Sequence, residues 1–178
     1  MPARFVRSVV AASGERGAWA RLERNELNFA EFCVAFEAEC HEAGGRVVAT
    51  ELMAALARGL APREEMLAAA GTIRARGLRT AALTNNWAAA GAARDRGSAM
   101  DGVFDVVVES SVEGLRKPDP AIYLLACERL SVEPPECVFL DDLGANLKPA
   151  RALGMATIKV TDPGDALTEL AELLGFSV

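Results

Sequence analysis

The chain has 178 residues, 51% of them hydrophobic and 25% charged, with a formal net charge of −6. That is globular composition for one domain, or for one domain carrying a small lobe. The acidic balance and the lack of a basic stripe argue against nucleic acid as a partner, and no apolar run is long enough to make a membrane one.

The first residues, Met-Pro-Ala-Arg-Phe-Val-Arg, lack the apolar core of a signal peptide, so a cytoplasmic location is expected. Cys33, Cys40, Cys127 and Cys137 form no C-x-x-C pair and no zinc spacing. Buried free thiols in a reducing compartment are expected. His41, the only histidine, sits at the polar end of a helix and is assigned no chemistry.

Residues 2 to about 58 read as helical throughout. Phe5, Val6, Val9 and Val10 repeat at helical spacing, and Gly14 and Gly17 interrupt them. Trp19, Leu22 and Leu27 follow. Asn28 then caps a long amphipathic helix with the apolar stripe Phe29, Phe32, Cys33, Phe36 and Cys40, ended by Gly44-Gly45. A short helix opens at Thr50. No strand pattern occurs in this first third, and its aromatic stripe reads as core packing.

From Pro62 the texture changes. Pro62 opens a helix burying Met66, Leu67, Ala70 and Ile73 and stopped by Gly77. Leu78–Leu83 reads as a strand ending at Thr84-Asn85-Asn86, and Val103–Val108 as a second. Asp119 reads as an N-cap with Pro120 at the first helical position, and the helix to Leu130 buries Ile122, Leu125 and Leu130. Cys137–Leu140 is a third strand, followed by a helix around Leu147–Leu153. A last strand, Ala156–Val160, precedes a helix over Ala166–Leu174. Strand alternating with helix predicts an α/β fold with a parallel sheet and right-handed crossovers.

The third strand stops on two adjacent carboxylates, Asp141 and Asp142. Consecutive strand side chains point opposite ways, so the pair shares a face only where the chain turns. Two readings fit: a solvated turn capping the next helix, or hard oxygens holding Mg²⁺. Thr84-Asn85 and Lys117, one of three lysines, also fall beside strand ends or helix starts. In a parallel sheet the strand carboxyl ends open on one edge, so these groups can converge there. A hydroxyl, an amide, an ammonium and a metal-held acid pair are what a phosphoryl group needs.

Leu83-Thr84-Asn85, Arg116-Lys117-Pro118-Asp119-Pro120 and Val138-Phe139-Leu140-Asp141-Asp142-Leu143-Gly144-Ala145-Asn146 resemble the second, third and fourth motifs of the haloacid dehalogenase-like (HAD-like) hydrolases. Within that superfamily the chain looks like the phosphatase-type domains of the soluble epoxide hydrolase and acyl-CoA dehydrogenase family member 10 groups. The resemblance implies a Rossmann-like core with a helical cap, the cap over residues 1–60 and the core over 61–178. It implies that Thr84, Asn85 and Lys117 bind phosphate, with Lys117 also steadying the phosphoryl group and nucleophile. Asp142 would ligate Mg²⁺, Asp141 would support that site, and Asn146 would hydrogen-bond within it. The implied partner is a small phosphorylated substrate or ligand.

The family's first motif, Asp-x-Asp, supplies the nucleophile and the general acid/base, and this chain lacks it: no aspartate precedes Asp95. In the family that motif ends the central strand, between the strands ending in Thr84 and Asp142. Without that strand two buried edges lose their partners, and each unpaired buried polar group costs about 1–3 kcal/mol. Either the flanking strands close up and pair, or another segment fills the slot, or the fold is marginal. The chain as given is expected not to turn over a phosphomonoester. A truncated gene model with Met1 an internal start is the expected origin, refuted by an in-frame stop close upstream with no Asp-x-Asp before it. The alternative is a short, non-catalytic module binding a phosphorylated ligand or a protein. A response-regulator receiver uses similar groups, but there the acid pair comes before the threonine and lysine.

Overall fold

The computed structural model describes residues 3–58, 63–87, 100 and 102–178. In chain order the helices are α1 (Ala3–Ser13), α2 (Ala18–Glu23), α3 (Phe29–Glu42), α4 (Ala49–Arg58), α5 (Glu64–Ala75), α6 (Ser110–Glu113), α7 (Pro120–Leu130), α8 (Gly144–Ala152) and α9 (Pro163–Leu174). The strands are β1 (Ala81–Thr84), β2 (Val106–Glu109), β3 (Val138–Asp141) and β4 (Ala156–Lys159). Two compact units divide them, and the division falls between Thr84 and Asn85 and between Arg116 and Lys117.

The first unit takes α1–α4, residues 85–87 and the segment 110–116. Its core forms around α3, whose Phe32, Phe36 and Cys40 are fully buried. Asn28 caps α3 in a reciprocal box with Glu31: each side chain accepts from the other residue's backbone N–H. Gly44, at φ +82°, lets the chain turn off the end of that helix. Trp19 stands edge-on to Phe32 and Phe36, at ring separations of 5.8 and 5.5 Å. The expected stripe is narrower than it reads in sequence, since Phe29 is exposed and Cys33 half-buried.

In the second unit β1 pairs with β2 and β3 with β4, both parallel, giving two separate two-stranded sheets. α5 packs against α9, and α7 against α8. Among the described residues no strand pairs with the other edge of β1 or β3. The flanking strands have therefore not closed up on each other. A cavity of about 770 Å³ lies between them instead. The architecture is the expected α/β one: a parallel Rossmann-like core short of its central strand, preceded by a helical region.

Several boundaries differ from the sequence reading. β1 begins at Ala81, not Leu78, because the backbone of Thr80 is already engaged by Asp105. β2 begins at Val106, since Val103 N–H turns back to Met100 and Asp105 N–H to Thr80. α7 buries Tyr123, Ala126 and Cys127 with Ile122, while Leu125 and Leu130 are only half-buried. α9 starts three residues early because Asp162 caps Gly164 and Asp165, with Pro163 in the first turn. α5 begins at Glu64 with the extended Arg63 as its N-cap, two residues past the expected opening at Pro62, which itself lies outside the described residues, as does the link from β1 toward β2 over residues 88–99.

Candidate active site

The short apolar run of β3 ends on Asp141, whose side chain is 4% exposed. A carboxylate so placed must have its oxygens filled. One oxygen accepts from Lys117 Nζ at 2.8 Å, and the other from Leu143 N–H at 2.8 Å. The Asn146 amide donates to both, at 3.0 and 3.1 Å. Asn146 sits in the first turn of α8, and its own carbonyl accepts from the Tyr123 hydroxyl at 2.8 Å.

Lys117 lies just before α7 and also donates to the Leu83 carbonyl at 2.9 Å. One ammonium thus joins the carboxyl ends of β1 and β3, with the Phe139 ring centroid 5.8 Å from it. Thr84 is the last residue of β1 and half-buried. Lys117, Asp141 and Asn146 therefore form one network, and Thr84 stands next to the carbonyl that Lys117 binds. Asp142, the first residue past the end of β3, is exposed.

Asn85 belongs to the first unit, where its amide donates to Glu23 at 3.2 Å. Glu23 is 7% exposed and also accepts from Arg116 Nε at 2.7 Å and Trp19 Nε1 at 3.1 Å. A second arm of Arg116 pairs with Glu15. The sequence reading gave Glu23 and Arg116 no role. The one local signal was Trp19 four residues ahead of Glu23, a spacing that puts both on one helix face. The contact to Arg116, far along the chain, leaves no such trace.

The acids suit Mg²⁺ in its usual manner, which uses one or two carboxylates, water and substrate phosphate oxygens. The exposed carboxylate of Asp142 is an available hard ligand. Asp141, filled by N–H donors, is suited to orient its surroundings. Among the described residues no group of three acid, histidine or cysteine side chains gathers to hold an ion. Water and phosphate would complete the shell.

Residues 4–154 match the model of the haloacid dehalogenase-like hydrolases, and the chain belongs to that family. Two multidomain relatives are similar across nearly all of it. Mouse acyl-CoA dehydrogenase family member 10 is 41% identical over 170 residues, 92% of this chain and 15% of that protein. Pig bifunctional epoxide hydrolase 2 is 36% identical over 187 residues, 98% of this chain and 34% of that protein. The chain thus spans a minor part of each. Among solved structures, a HAD family enzyme of Bacteroides thetaiotaomicron in complex with magnesium and inorganic phosphate shares the fold. Its TM-score is 0.62 at 19% identity, over 89% of this chain and 86% of that one.

Proposed function

We propose that this chain is the phosphatase-type domain of a HAD-like hydrolase that acts, in complete form, on small phosphomonoesters with Mg²⁺. Residues 1–60 serve as the cap and 61–178 as the core. The observation that carries the reading is the Lys117 ammonium held against Asp141 and Leu83, at the carboxyl ends of two strands. Fixed cationic and hydrogen-bonding groups at that edge favour developing negative charge on a phosphoryl group. Thr84 and Asn85 donate to the phosphoryl oxygens, and Lys117 offsets their charge. Asp142 holds the metal, with Asp141 and Asn146 keeping that end of β3 in place. Mg²⁺, when bound, screens the anionic substrate from the surrounding carboxylates.

The same reading makes the chain as given inactive toward phosphomonoesters, because its sequence carries no Asp-x-Asp motif ahead of Thr84. The test is p-nitrophenyl phosphate hydrolysis with Mg²⁺, by this chain and by one extended upstream in frame. Turnover by the extended chain alone, reduced about a hundredfold or more in Thr84→Ala, is the expected result. Turnover by the chain as given would overturn the inactivity. Turnover by neither folded protein would replace the enzyme with a binding module.

A further inference from the structure

Two of the four cysteines stand together, outside the candidate site. Cys127 is buried on α7, Cys137 is half-buried just ahead of β3, and their sulfurs are 3.8 Å apart. Cys33 and Cys40 lie about two turns apart on α3, about 10 Å along its axis, and do not meet. The segment from Cys127 to Cys137 is held at both ends and in its middle. Ser131 takes the left-handed conformation at φ 52°, and Val132 N–H turns back onto the Cys127 carbonyl at 3.1 Å. Pro134 and Pro135 stiffen a short helical turn, capped by Glu133 N–H on the Glu136 carboxylate and closed by Cys137 N–H on the Pro134 carbonyl. The Cys137 carbonyl then accepts from Ala156 N–H, at the head of the β3–β4 ladder. These anchors belong to α7, the turn and β4, so the sulfurs meet whatever lies along the other edge of β3.

We propose that Cys127 and Cys137 are a disulfide-forming pair, closed by exchange with a small-molecule disulfide. The Cys137 thiolate attacks one sulfur of that disulfide and expels the other half as a thiolate, leaving a mixed disulfide. Cys127 then gives its proton to solvent and attacks the Cys137 sulfur, and the second half leaves as a thiolate. Two cysteine thiols are thereby oxidised by two electrons, and one small disulfide is reduced to two thiols. Burial sets the order, because Cys137 is half-buried while Cys127 is 4% exposed. Closing 3.8 Å to a bond of about 2.05 Å is a movement on the scale of side-chain rotation. The adjacent sulfur makes the second step intramolecular, so the mixed disulfide does not accumulate. Burial also holds both thiols above their ordinary value, which makes the first step slow and the pair a brace, not a rapid sensor. The bond fastens the start of β3 to α7. Lys117 lies just ahead of α7 and Asp141 ends β3, so it braces the two arms that carry that ion pair. The pair is independent of any phosphatase activity.

The test incubates the intact, reduced chain with hydroxyethyl disulfide at about pH 8.5, near the free-thiol value. Trypsin cuts after Arg129, between the two cysteines, so the bond joins peptides 117–129 and 130–151. Mass spectrometry should find that crosslinked pair, two hydrogens lighter than its parts together and separated by reductant. Cys127→Ser should stop at the mixed disulfide on Cys137, and Cys33→Ser with Cys40→Ser should leave the yield unchanged. Closure should raise Tm by about 5 °C, reversed on reduction. The chain extended upstream in frame should form the same crosslink. A mixed disulfide that persists on Cys137 in the unmutated chain, or bonds formed only between chains, would overturn the proposal. So would a crosslink confined to the shorter chain, and an unchanged Tm would overturn the brace.

Discussion

The helical unit and the strand-bearing unit close their cores by different means. Around α3 the helices pack through their side chains, and Phe32, Phe36, Cys40 and Ala49 reach zero exposure. In the second unit the strands join through backbone ladders in two pairs, and the two pairs leave a cavity between them. Helices satisfy their backbone internally, so a helical core can close with whatever helices are present. A sheet satisfies its backbone only through neighbours, so a missing neighbour leaves a gap that side chains do not fill.

Paired truncations sharpen that contrast most. Phe36→Ala, in the closed core, should cost about 3–5 kcal/mol in urea denaturation. Phe139→Ala should cost only about 1–2 kcal/mol, because that ring already borders empty space. Equal costs would remove the distinction. Next in size is Lys117→Met, which strands the buried Asp141 carboxylate and should cost about 3 kcal/mol. Adding Asp141→Asn should recover part of that loss; strict additivity in the double-mutant cycle would show that the pair is not coupled. Tyr123→Phe leaves the Asn146 carbonyl without its hydroxyl donor and should cost about 1 kcal/mol, read as a fall in Tm.

The smallest effects are those of pH on the second unit. The Asp105 carboxyl is held below its usual value, first by the Thr80 backbone N–H and then by Arg74. Its contribution is present above the ordinary carboxylate pKa of about 4 and is lost as pH falls through the lower, folded value. Asp105→Asn should remove that part of the acid sensitivity, measured as the slope of Tm against pH. The Cys137 thiol is pushed up to about 12, by burial first and then by Cys127, whose sulfur lies 3.8 Å away. The stability that comes from keeping this thiol neutral is intact below the ordinary thiol value of about 8.5 and is lost as pH rises toward the folded one. Iodoacetamide should accordingly modify Cys137 far more slowly at neutral pH than it modifies a free cysteine.

Most of the fold was legible in the sequence because its signals are local. Asn28, Asp119 and Pro120 mark helix starts through groups within a few residues, and the apolar runs before Thr84 and Asp141 mark strands. The strand starts were misread where long-range contacts decide them. Asp105 takes Thr80 out of β1, and no pattern in Leu78-Arg79-Thr80 announces that. In the candidate site, Thr84 and Asp141 stood out at strand ends and Lys117 ahead of a helix, and the family resemblance gave them roles. The resemblance assigned Asp142 to a metal and Asp141 to a supporting place; what hid from the sequence was the hydrogen bonding, in which Asp141 accepts from three groups while Asp142 is exposed. Glu23 and Arg116 were hidden for the same reason, because their partners lie far along the chain.

The engagement of Lys117 with Asp141 has an electrostatic consequence for any arriving anion. Lys117 is already matched by a buried carboxylate, while the exposed residues at the ends of β3 and β4 include both an acid, Asp142, and a base, Lys159. On the proposed reading the ammonium of Lys117 is thus partly spent on Asp141, and a divalent ion supplies further positive charge to a phosphate dianion. Phosphate affinity should accordingly climb with Mg²⁺ concentration and nearly vanish in a chelator, making the cation an admission ticket rather than an accessory.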